Sequence, residues 1–112
     1  MSMHLKKFVL AVSALLATAG AFALDAAAAK ALASKSACLA CHAADKKIVG
    51  PSYQDVAAKH KGQADALEKV AARIKSGGSG IYGTVPMPPQ PALKDEELKL
   101  LAAWVLAGAP DK

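Results

Sequence analysis

Cys38, Cys41 and His42 stand where they could do chemistry together, in the run Cys38-Leu39-Ala40-Cys41-His42. On a helical turn, side chains three apart point to the same side, so both sulfurs can form thioether bonds to the two vinyl groups of one haem. His42 then faces the iron from the adjacent position as the proximal ligand. Three other readings compete. A structural zinc site needs four ligands, and beyond these three only His60 remains as a further ligand of the usual kind once the first 23 residues are set aside. A thioredoxin-like redox pair needs a βαβ pattern, which the sequence lacks. A disulfide across so short a loop would constrain the unfolded chain little, and it leaves His42 without a role. Haem attachment uses all three residues.

A second axial ligand has two candidates. Met1 and Met3 lie in the N-terminal segment, which leaves Met87 as the one methionine of the remaining chain. It stands in Val85-Pro86-Met87-Pro88-Pro89, where prolines on both sides stiffen the backbone and give a flexible side chain a defined direction. A lone methionine is ordinarily core packing, but a rigid loop carrying one soft donor suits a ligand better. His60, between Lys59 and Lys61, is the rival. It would give a bis-histidine centre, and an open iron position is the third option. A thioether raises the reduction potential relative to histidine, so the choice bears on function.

The elements that must position these residues are helical. Asp25 to Ser36 is alanine-rich, with Asp25 as an N-cap and Lys35 near the end. After a polar stretch from Ala43 to Gly50, Pro51 suits the first turn of a short helix running to about Lys59, which Gly62 ends. Leu67, Val70, Ala71 and Ile74 recur on one face and predict a helix over 63–76, stopped by Gly77-Gly78. Residues 77–92 hold four glycines and four prolines, so a long loop is expected there, and long loops in small domains tend to be functional. A last helix begins near Asp95, where Asp95, Glu96 and Glu97 meet the positive end of the dipole. It runs to about Ala107, with Leu98, Leu101 and Val105 in one row and Trp104 beside them. No segment alternates as a strand does. The expected class is all-α, three or four short helices around a central object, with a cleft between Cys38, Cys41, His42 and Met87.

Residues 1–23 have the zones of a secretory signal: Lys6 and Lys7, an uncharged run from Phe8 to Ala19, and the small-x-small pattern Ala21-Phe22-Ala23. Cleavage there leaves a single domain, residues 24–112, exported to the periplasm and without a membrane span. The whole chain carries +5, and without its two signal-segment lysines the balance is 12 basic to nine acidic residues, or +3. With one arginine, Arg73, and no basic tract, nucleic acid is not an expected partner. A domain this small has a thin hydrophobic core, and a large covalently held cofactor would staple it.

From about Ser34 to Leu106 the chain resembles the small bacterial class I cytochromes c of the cytochrome c-551/c-552 type. The resemblance is carried by the Cys38 to His42 run, Ile48-Val49-Gly50-Pro51, Gly77-Gly78-Ser79-Gly80, the Met87 loop and Ala103-Trp104-Val105-Leu106. It implies the cytochrome c fold, with three to five short helices wrapped around one haem c held by Cys38 and Cys41. It implies His42 and Met87 as the axial ligands. The Pro51 carbonyl is then expected to accept a hydrogen bond from the far nitrogen of His42, and Arg73 to pair with a haem propionate. Tyr82 and Gln90 complete the supporting residues. Tyr82 stands where such proteins often have tryptophan, and His60 where they often have a core aromatic, and a His60 near the haem would make the potential pH-sensitive.

With both axial positions filled, the iron can do little but change its charge by one, so the expected function is single-electron transfer rather than enzymatic turnover. The expected partners are an electron donor and a redox protein such as a terminal reductase or oxidase. They would meet a monomer at an apolar edge near Leu39, Ala40, Ile48, Val49, Val85, Pro88 and Pro89, with Lys35, Lys46 and Lys47 beside it. The alternatives are a haem subunit of a larger redox enzyme and, if Met87 is displaced, a protein that binds a gas or peroxide.

Overall fold

The computed structural model describes residues 24–112, and the secretory signal read at residues 1–23 lies outside the described residues. Four helices follow in order: α1 (Ala26–Lys35), α2 (Tyr53–Lys59), α3 (Ala66–Ser76) and α4 (Asp95–Leu106), with a 3₁₀ turn at Cys38–Ala40 between the first two. No strand occurs among the described residues, only isolated bridges joining His42 to Lys47 and Gly78 to Met87.

Helix α1 begins where the sequence places it, with the Ala28 amide donating to the Asp25 carboxylate at 2.9 Å. Its buried positions are Ala26, Ala29 and Ala33, small side chains that let α1 lie close on α4. The chain then passes through Ala37 at φ +61° and tightens into the 3₁₀ turn. There the amides of Cys41 and His42 both donate to the Cys38 carbonyl, at 3.2 and 3.0 Å.

Two helix starts differ from the sequence reading. Pro51 is not in the first turn of α2. The cap is Ser52, whose hydroxyl accepts from the Asp55 amide at 3.0 Å, and this holds Pro51 outside the helix with its carbonyl directed to other use. Helix α3 starts at Ala66 rather than Gln63, because residues 60–66 form turns in which the Gln63 amide donates to the His60 carbonyl and the Ala66 amide to the Gln63 carbonyl.

Helix α4 organises the core. It packs on α1, α2 and α3, and it buries Leu98, Leu101, Trp104 and Val105, the residues its periodicity marks. From α3, Val70 and Ile74 are buried against it, with Leu67 and Ala71 partly so. The start of α4 is fastened by the Glu97 carboxylate, which accepts from the Lys94 amide at 3.0 Å. After α4 the chain doubles back: the Trp104 indole donates to the Pro110 carbonyl at 2.9 Å, and Asp111 pairs with Lys30 on α1. No helix among the described residues is long and apolar enough to cross a membrane.

Candidate functional site

A cavity of about 720 Å³ lies within these helices and the long loop, lined by Cys38, Cys41, His42, Pro51, Met87 and Leu101 among others. That volume falls in the range of roughly 300–1,000 Å³ that ligand and cofactor sites occupy. The cleft expected between the two cysteines, His42 and Met87 is therefore present.

Both cysteines are free and partly buried. Burial pushes the Cys38 thiol above its ordinary value, which disfavours the thiolate that a metal centre or nucleophile needs. A neutral sulfur bonded to carbon suits this position. Among the described residues no group of three or more His, Cys, Asp or Glu side chains converges as a bare metal site requires.

His42 is held by its surroundings. Its Nδ1 lies 2.8 Å from the Pro51 carbonyl oxygen. A carbonyl only accepts, so Nδ1 carries the proton and Nε2 keeps its lone pair for a metal. The loop that brings Pro51 there is tied down at several points, with the Gly50 amide donating to the Cys41 carbonyl at 2.8 Å and the Tyr53 amide to the Ala43 carbonyl at 2.9 Å. Tyr53, 5% exposed, stacks on the His42 ring with centroids 5.2 Å apart and planes 19° from parallel. Trp104 meets the Tyr53 ring edge-on at 5.1 Å.

Met87 is delivered by backbone pairing. Its amide donates to the Gly78 carbonyl and its carbonyl accepts from the Gly78 amide, both at 2.9 Å. The loop is thereby fastened to the end of α3. Gly77 makes that approach possible: at φ +63° and ψ −158° it occupies a conformation essentially restricted to glycine, and a Cβ there would run into the backbone of Met87, Pro88 and Pro89. The Gln90 amide adds a further tie to the Lys75 carbonyl at 3.1 Å.

Two polar groups face the same cavity. The Tyr82 hydroxyl is buried with no hydrogen-bond partner among the described residues. Desolvation raises its pKa, Arg73 opposing and Asp55 adding to the effect, so it is a neutral phenol with a proton to donate. Arg73 lines the cavity too, its guanidinium donating to the Gly77 carbonyl at 3.3 Å. An orphaned donor beside a guanidinium fits a ligand that brings carboxylates into an otherwise apolar space. Lys59 sits over the Tyr82 ring, 5.4 Å from its centroid.

Of the residues singled out from the sequence, Cys38, Cys41, His42, Pro51, Arg73, Tyr82 and Met87 all line this one cavity. Gln90 does not; its contribution is the backbone tie to Lys75. His60 lines the cavity as well, with its Nδ1 and the Gln63 side-chain oxygen 3.0 Å apart. Sequence reasoning missed Tyr53. An aromatic two residues after Pro51 was the available signal, but only the folded loop lays its ring on His42. At the mouth, Val49 and Val85 are exposed, with Leu39, Ile48 and Ile81 also left open to solvent.

Comparison with known proteins bears on the family and the fold. The Cytochrome c family model matches residues 26–109. Cytochrome c-551 of Pseudomonas aeruginosa is 50% identical over 99 residues, covering 88% of this chain and 90% of that protein. Cytochrome c-552 of Hydrogenobacter thermophilus is 51% identical over 76 residues, or 68% of this chain and 76% of the relative. The crystal structure of Nitrosomonas europaea cytochrome c552 superposes with a TM-score of 0.68 at 43% identity, covering 70% of this chain and 98% of that one. With the helical fold, the cavity and these relatives in agreement, the chain belongs to the cytochrome c family, whose members bind one covalently attached haem c.

Proposed function

We propose that the protein is a periplasmic single-electron carrier, with haem c attached through Cys38 and Cys41 and closed axially by His42 and Met87. Bound there, the haem supplies one-electron iron chemistry. The chain's own residues do the rest. His42 offers Nε2 because Pro51 holds the proton on Nδ1, and that hydrogen bond makes the imidazole a more basic ligand. Met87 offers a thioether on a loop locked to Gly78. Tyr82 and Arg73 take the carboxylates, and the packed helices keep water out. In this reading residues 1–23 are a cleaved signal and residues 24–112 are the monohaem domain.

The observation that carries the reading is the presence of His42, with a free Nε2, and Met87 in one cavity beside both cysteines. His60 is the weaker sixth-ligand candidate, since it caps α2, is tied to Gln63 and also borders a second cavity with Ala57 and Leu106. A filled iron makes the protein a carrier rather than an enzyme. It would act as a monomer between an electron donor and a redox protein such as a terminal reductase or oxidase.

Carbon monoxide tests this directly. Added to the reduced wild-type protein it is expected to leave the visible spectrum unchanged, while Met87→Ala binds it readily. Rapid binding by the wild type would instead mark a gas- or peroxide-binding protein.

A further inference from the structure

The His42 ring is constrained by more than its hydrogen bond. Gly50 brings its backbone so near that a Cβ would stand 2.5 Å from His42 Cε1, 2.9 Å from Nδ1 and 3.1 Å from Nε2. Three such short distances place that position over the face of the ring rather than beyond its edge. The Gly50 φ is not in the left-handed region, so its backbone would accept a side chain and the ring alone forbids one. Tyr53 stacks on the same imidazole at 5.2 Å and is itself held by the edge-on Trp104, 3% exposed. The hydrogen bond to Pro51 restrains the ring's one torsion, about Cβ–Cγ, at the Nδ1 edge alone. The face contacts from Tyr53 and Gly50 restrain the same torsion across the plane of the ring.

We infer that Tyr53 is a positioning residue for the axial imidazole: by stacking on His42, with Gly50 pressed close, it fixes the rotation of the ring. This rests on the reading of His42 as an axial ligand. The contribution belongs to the aromatic ring, which makes the stack, and not to the hydroxyl. Ring rotation about the metal bond sets how ligand π-orbitals meet the iron, and with it the unpaired-spin distribution and the reduction potential.

The test uses holoprotein and the proton NMR spectrum of its oxidised form, in which the order and spread of the shifted haem methyl signals report the axial ring's orientation. Tyr53→Phe is expected to keep the wild-type order. Tyr53→Leu is expected to change it and to shift the potential. Leu98→Ala, which opens the same core without lining the cavity, is expected to lose stability and keep the order. A wild-type pattern in Tyr53→Leu, or an equal change in Leu98→Ala, would overturn the inference. Should Tyr53→Leu fail to fold, Gly50→Ala reads the same property by pushing on the ring, and an unaltered pattern there would also overturn it. Failure of the ligand assignment looks different, because the wild type itself would then lack the spectrum of a low-spin, histidine-ligated iron.

Discussion

Tyr82 ends in a buried hydroxyl that finds no partner among the described residues, and an orphaned group of that kind costs about 1–3 kcal/mol unless something meets it. A haem carboxylate is the acceptor that suits it, because the phenol stays protonated where burial raises its pKa. Tyr82→Phe is therefore expected to destabilise the holoprotein by about 1.5–3 kcal/mol, the scale of a hydrogen bond to a charged group. Denaturant unfolding measures it, and a holoprotein of unchanged stability would argue that the hydroxyl meets nothing. Residue chemistry of this kind was partly legible in the sequence. Cys38, Cys41 and His42 announce themselves by spacing, and Met87 by being the methionine left after the first 23 residues. Tyr53 did not, since stacking on His42 depends on how the loop between them folds.

At the scale of elements, Gly77 joins α3 to the loop that carries Met87. Gly77→Ala would place a methyl against the backbone of residues 87–89 and force a conformation that costs roughly 1–3 kcal/mol for any other residue. The expected outcome is a loosened loop, seen as carbon monoxide binding to the reduced variant where the wild type resists. The other fastening is the Lys30 to Asp111 pair, which ties the tail to α1. Hydrogen bonding and charge from Lys30 hold the Asp111 pKa below its ordinary value. A depressed carboxylate pKa means the contribution is complete above the unfolded-state value, near 3.8, and is lost as pH falls through the folded one. Asp111→Asn is thus expected to lower stability slightly at neutral pH and to equal the wild type in strong acid; a difference that grew with acidity would contradict this. Helix boundaries were readable where side chains cap or pattern them, as at Asp25 and along α4. They differ at Pro51 and Gln63, because proline tolerance and an apolar row that begins only at Leu67 do not fix a first turn, which Ser52 and the turns of residues 60–66 displace.

The surface presents Val49 and Val85 exposed at the cavity mouth, with exposed Ile48 next to Val49 in the chain and Lys46 and Lys47 just before it. Apolar contact with a basic rim suits brief encounters, and charge acts there on the rate of meeting. Electron exchange with an acidic redox partner is expected to slow as ionic strength rises, since the Debye length falls to about 10 Å at 0.1 M. Stopped-flow rates across a salt series would show it, and a flat series would remove the steering role. What closes the iron decides the function. In the reduced protein, a methionine bound over the haem plane has its methyl protons carried far upfield by the ring current, which makes proton NMR the most direct measurement. The wild type is predicted to show that three-proton signal, His60→Gln to keep it and Met87→Ala to lose it. A wild-type spectrum without the signal, or its loss in His60→Gln with retention in Met87→Ala, would contradict ligation by Met87.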